Sequence, residues 1–167
     1  MPDVCDLILD DHETIRRRFA ELDEYRHADT QTLQRLWRPL ATLLELHAAV
    51  EEHLVYPSLL DTGTRPKAET GDAIRDHNEI RDAVERASSA QPGSSTWWEA
   101  VVQAREHNSD HMAEEERGAI ADLRAHPGKE LRRELGAQWL IYQEEHAGLR
   151  GVEVHQRDPE AYLEDPG

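Results

Sequence analysis

The sequence predicts an all-α protein, an up-down-up-down four-helix bundle with an additional C-terminal helix. Apolar residues recur at i, i+3 and i+4 through five long segments. Short connections rich in Pro, Gly, Asp and Ser separate them, and helices of about 20 residues joined by short loops pack as antiparallel neighbours. Each of the first four segments also carries a histidine inside its apolar stripe, where a Leu or Ile ordinarily stands. Strand alternation, a repeat of fixed period and low-complexity tracts are all missing from the sequence.

The first helix is expected over about residues 6–26, with the stripe Ile8, His12, Ile15, Phe19, Leu22 and a cap at Asp3 or Asp6. The second is expected over about 30–60, reading Leu33, Leu36, Leu40, Leu43, His47, Glu51, Leu54; Pro39 and Pro57 each predict a kink or an early stop. A breaker-rich turn at 61–66 follows. The third covers about 68–87, with Ala73, His77, Ile80 and Val84 inward. After Pro92, Gly93, Ser94 and Ser95, the fourth runs over about 96–123 with Ala100, Ala104, His107, His111 and Glu115 inward. Pro127 and Gly128 break the chain before a fifth helix over about 129–149, and from Arg150 a polar, loosely ordered tail is expected. The domain division is therefore a bundle at 1–126, an appended helix packing on it at 127–150, and a tail at 151–167.

Counting from each loop sets the depth of the polar residues in the stripes. Glu51 and His77 lie about 13 residues either side of the turn near Thr64, His77 and His107 about 15 either side of Pro92, and His12 and His47 about equally far from Ala28. Equal counts on antiparallel helices mean equal levels, so these side chains fall in one slab.

Composition excludes several function classes. The net charge of −16, with no basic cluster, argues against nucleic acid or an anionic membrane as partner. Cys5 is the only cysteine, so no intrachain disulfide forms and a reducing compartment is expected. The first residues carry neither a basic segment nor an apolar stretch of a secretory signal, and no apolar run is long enough to span a bilayer. A cytoplasmic chain, monomeric or weakly dimeric, is the expectation.

The chemistry lies in His12, His47 with Glu51, His77, and His111 with Glu115. Each His/Glu pair is spaced i, i+4 and projects from one helix face, about 6 Å apart along the axis. A lone inward histidine is most often a satisfied core residue, but four at one depth with two carboxylates make a metal site. Left unpaired, such groups cost several kcal/mol each, against a domain stability of about 5–15 kcal/mol. Metal coordination removes that cost. Imidazole and carboxylate without thiolate suit iron or manganese better than zinc. Six ligands exceed what one ion needs beside an open position, so two ions about 3.5–4 Å apart are expected.

His47, Ala48, Ala49, Val50, Glu51, Glu52 with Tyr56-Pro57, and His111, Met112, Ala113, Glu114, Glu115, Glu116, resemble the two HxxxE segments of the haemerythrin-like (HHE cation-binding) family. Asp11-His12 and Asp76-His77 resemble its two single-histidine helices, and the likeness spans about residues 6–123. Ferritin-like carboxylate proteins use ExxH instead, which is absent here at matching depth. The resemblance implies two iron ions in an oxo- or hydroxo-bridged centre, with His12, His47, His77 and His111 as terminal ligands and Glu51 and Glu115 bridging. Oxygen-carrying members use five histidines, with a pair on the third helix that this chain lacks. His107 is a fifth ligand or a hydrogen-bonding group behind the ligands. Tyr56 matches the Tyr-Pro of short bacterial members and could reach an iron, although helical geometry places it off the Glu51 face, which favours packing. Glu52 and Glu116 orient ligands or face solvent; His27, His53, His126, His146 and His155 are expected on the surface, in loops or in packing.

The resemblance implies chemistry on dioxygen, hydrogen peroxide or nitric oxide. Short stand-alone members similar to this chain include some with catalase-like activity, so peroxide decomposition or nitric oxide handling ranks first. Reversible dioxygen binding or storage, or an iron or oxygen sensor module, is the alternative.

Overall fold

The computed structural model describes residues 2–126 and 128–166, and within them all regular structure is helical. α1 (Val4–Glu24) starts at Asp3, whose side chain accepts from the Cys5 amide, and α2 (Thr30–Val50) starts at Asp29, which caps the Thr32 amide. α2 runs unbroken through Pro39. The second proline acts differently. Pro57 has no amide hydrogen and its ring crowds the carbonyl four residues back, which an α-helix does not tolerate in its interior. The chain responds with a π segment (Glu51–Val55), and Pro57 then sits in the first turn of α3 (Tyr56–Thr62), where no amide is needed.

α4 (Pro66–Ser89) and α5 (Ser95–Arg117) form the most extensive pairing, and Ser94 caps α5 through the Trp97 amide. The single helix expected over 96–123 is interrupted: Gly118 leaves helical geometry (φ −105°, ψ −90°), and α6 (Ala119–Ala125) continues beyond it. The break expected at Pro127 lies outside the described residues. α7 (Lys129–Glu145) packs across α1 and α2, and it stops four residues before the expected end. A 3-10 turn (Ala147–Leu149) containing left-handed Gly148 (φ 68°) follows.

The tail differs most from expectation. Asp158 caps α8 (Pro159–Glu164), which packs against α4 with Tyr162 buried. An Asp-Pro helix start followed by Ala-Tyr-Leu was the local signal for it. Among the described residues no helix is long and apolar enough to cross a membrane.

The core has two halves. One gathers Ile15, Phe19, Leu40, Leu44, Ile80 and Met112; the other gathers Ile8, Val50, Ile74, Ile120, Leu135 and Trp139. His12 falls between Ile8 and Ile15, His47 between Leu44 and Val50, and His77 between Ile74 and Ile80. A polar slab thus separates two apolar halves, at the level that the Glu51/His77 and His12/His47 counts indicated.

Candidate metal centre

Six side chains fill the slab: His12, His47, Glu51, His77, His111 and Glu115, none more than 5% exposed. Their donor atoms form two overlapping groups, His12, His47, Glu51 and Glu115 in one and Glu51, His77 and His111 in the other, each within 4.8 Å. Glu51 belongs to both. Its Oε1 stands 3.0 Å from His47 Nε2, while its Oε2 stands 3.3 Å from His77 Nε2 and 3.9 Å from His111 Nε2. Glu115 Oε2 lies 3.3 Å from His12 Nε2 and 3.9 Å from His111 Nε2. The two imidazoles of the second group approach to 3.1 Å between Nε2 atoms.

Several of these atoms are close without being hydrogen-bonded. His12 Nε2, His47 Nε2, Glu51 Oε1 and both carboxylate oxygens of Glu115 are buried with no partner of acceptable geometry. Buried polar atoms are rarely left so. Convergent, directionally mismatched imidazole and carboxylate donors are what a cation between them requires, so the residues fit a metal.

Every imidazole is held from behind. His47 Nδ1 faces Asp11 at 3.2 Å, His77 Nδ1 faces Glu52 at 2.8 Å, His111 Nδ1 faces Asp76 at 3.3 Å, and His12 Nδ1 faces Glu116 at 2.9 Å. An ionised carboxylate only accepts, so each Nδ1 carries hydrogen and each Nε2 is directed inward. The arrangement closes on itself: α1 serves α2, the π segment serves α4, α4 serves α5, and α5 serves α1. Glu52 and Glu116 therefore orient imidazoles. The parts of Asp11 and Asp76 escaped sequence reasoning, because each acts on a histidine of another helix. A signal existed: Asp-His followed by His-x3-Glu-Glu occurs twice, with 35 residues from His12 to His47 and 34 from His77 to His111.

The electrostatics follow from burial and these partners. Burial opposes charge on His47, but Glu51 and Asp11 outweigh it and hold the imidazole well above its usual range. Against burial, Asp76, Glu51 and Glu115 push His111 up to about 10. Glu51 itself is held well below the usual carboxylate range, because His47, His111 and His77 outweigh its desolvation.

Tyr56 requires a correction. At 3.6 residues per turn, a residue five positions after Glu51 points about 140° away from it. The π segment removes that offset: the Tyr56 amide bonds the Glu51 carbonyl, so the two residues stack on one face. The fully buried Tyr56 hydroxyl lies 3.3 Å from both Glu51 Oε2 and His77 Nε2. Burial, then Glu51 and Glu115, push its pKa well up, so it remains a protonated donor.

His107 also departs from the expected face. Its side chain is 37% exposed and pairs with Glu79 at 2.9 Å, while Asn108 takes the buried position between Ala104 and His111. Loop counting mislevelled it by one turn, since α4 ends 12 residues after His77 whereas α5 begins 16 before His111. His53, His27, His126 and His155 are exposed, and His146 stacks on Tyr142.

A cavity of about 390 Å³ joins Tyr56, His111 and Glu115 to exposed Arg65, Asp72 and Arg117. On the opposite side Trp139 of α7 closes the slab, its ring 5.7 Å from that of His47.

The model of the hemerythrin HHE cation binding domain matches residues 3–123. The chain belongs to that family. Comparison with curated proteins and with solved structures finds no significant match. The haemerythrin-like region thus spans α1 to α6 and contains all six clustered residues, together with the four carboxylates behind the imidazoles. α7 and α8 lie beyond it.

Proposed function

We propose that this haemerythrin-like protein holds two iron ions and turns over a small oxygen species, with peroxide decomposition first and nitric oxide handling as the related possibility. The observation that carries the reading is the pairing of imidazoles, His12 with His47 and His77 with His111, about a shared Glu51. His12 and His47 would hold one ion, His77 and His111 the other, and Glu51 and Glu115 would bridge. Iron suits the donor set because no thiolate takes part. Cys5 is buried among Val4, Ile8 and Trp139 residues of the other core half, its thiol pushed up to about 12 by burial and by Asp3.

When bound, an iron pair supplies redox capacity and open positions for a molecule the size of dioxygen, peroxide or nitric oxide. The protein's own residues do the rest. The cavity beside Tyr56, His111 and Glu115 admits a small polar molecule from the surface. Tyr56 presents a protonated hydroxyl there, beside Glu51 and His77. A hydroxyl donor there can hydrogen-bond to negative charge as that develops on a small oxygen species. The outer carboxylates fix ring orientation and raise imidazole basicity.

Peroxide consumption and oxygen release, measured on iron-loaded and metal-stripped protein, test this reading. Iron-loaded protein should consume peroxide over many turnovers while stripped protein does not. A reversible spectral change in air without any peroxide turnover would overturn it in favour of dioxygen storage.

A further inference from the structure

The four carboxylates behind the imidazoles are not equivalent. Glu116 meets Arg16 at 2.6 Å, and Asp11 accepts from the Gln143 amide at 3.0 Å. Glu52, behind His77, meets two guanidiniums: Arg81 Nη2 stands 2.8 Å from Oε1, the oxygen facing His77, and Arg157 Nε stands 2.6 Å from Oε2. Burial alone would raise the Glu52 carboxyl, but His77, Arg81 and Arg157 hold it below its usual range.

Arg157 comes from the segment after α7, outside the family region. Its backbone is fixed by Asn78, the residue after His77: the Asn78 amide donates to the Arg157 carbonyl at 2.7 Å, and the Arg157 amide donates to Asn78 Oδ1 at 2.9 Å. The same segment supplies the Tyr162 hydroxyl to the Glu52 backbone carbonyl. That carbonyl needs an outside donor. Its α-helical partner would be the Tyr56 amide, which bonds Glu51 instead, and its π-helical partner would be Pro57, which has no amide hydrogen. An unpaired buried carbonyl is destabilising, and the Tyr162 hydroxyl supplies the missing donor.

We propose that the C-terminal segment 152–164 is a strap that positions His77 through Glu52, with Arg157 as the residue that holds the carboxylate and Tyr162 as the one that completes the π segment. The inference rests on the reading of His77 as a metal ligand. Arg157 holds the Glu52 carboxylate against the His77 Nδ1–H, and so fixes the ring whose Nε2 faces inward. One histidine of the centre is thereby held through a segment outside the family region.

The test uses full-length, iron-loaded protein and the variants Arg157→Ala, Arg157→Lys and Tyr162→Phe. In Arg157→Ala, release of iron to a chelator should be about tenfold faster, because the ion pair that holds Glu52 behind His77 is lost. Its reduction potential should move negative, because a cation near the site is gone. Arg157→Lys should restore the potential in large part and the release rate less, since lysine keeps the charge but carries it on a more flexible stem. Tyr162→Phe removes one oxygen and should also speed release; it carries the test if Arg157→Ala does not fold. A second arm uses metal-free protein, in which the His77 Nδ1–H resonance should be lost to faster solvent exchange in both Arg157→Ala and Tyr162→Phe. Wild-type release, potential and exchange in those two variants would overturn the strap. A wild-type chain that retains no iron would overturn the reading of the site, while the exchange arm still judges the strap.

Discussion

His47 and Glu51 illustrate how one residue pair serves as both core and chemistry. Each occupies a stripe position that packing alone would give to an aliphatic side chain, and each leaves an inward atom without a hydrogen bond. Such positions were legible in the sequence because inward polar residues break the apolar pattern visibly. Glu115→Ala should lower bound metal by at least one ion per chain, read by elemental analysis, because one of two shared carboxylates is removed. Asp76→Ala should leave the fold intact and weaken metal retention about 10–100-fold, measured by competition with a chelator. That second layer was not legible. Asp11 and Asp76 precede a histidine in sequence but act on the histidine of a neighbouring helix, so their part emerges only when helices are placed side by side.

At the scale of elements, the site depends on one departure from α-helical geometry. Residues 30–60 read as a single amphipathic helix with two prolines, and the period correctly puts His47 and Glu51 on one face. It misplaces Tyr56, because hydrophobic periodicity assumes 3.6 residues per turn throughout, and Pro57 changes that locally. The appended helix was legible from Leu135 and Trp139, but its closeness to the N-terminus was not. A Cβ on Gly136 would stand 2.3 Å from the Pro2 carbonyl oxygen, so α7 crosses there only because the side chain is missing. Gly136→Ala should therefore destabilise the protein by about 2 kcal/mol through overpacking. In a chain of this size that lowers Tm by roughly 4–8 °C, read by thermal denaturation, with metal content unchanged in the folded fraction.

Across the whole molecule, metal and protons compete for the same slab. Metal-free protein keeps protons on His47 and His111, whose folded pKa values are raised, the latter to about 10. Their contribution to stability is full below about pH 6.5, the unfolded imidazole value, and is lost as pH rises through the folded values. Glu51, held low, acts oppositely: its contribution is present above about pH 4.3 and lost as pH falls through its folded value. Metal binding needs both imidazoles without their inward protons, so affinity rises with pH, up to about tenfold per unit for each proton displaced. The difference in Tm between metal-loaded and metal-stripped protein should accordingly widen between pH 6 and 9, a range chosen to span roughly the imidazole titration. A constant difference across that range would contradict proton displacement.

The central claim is that two helix-borne imidazole pairs and two carboxylates hold a pair of ions. Anaerobic titration of metal-stripped protein with ferrous iron, with bound iron counted per chain after gel filtration, tests it most directly. The account predicts saturation at about two ions per chain, as befits a site with a shared carboxylate at its centre. Saturation at one ion, or none retained, would contradict it.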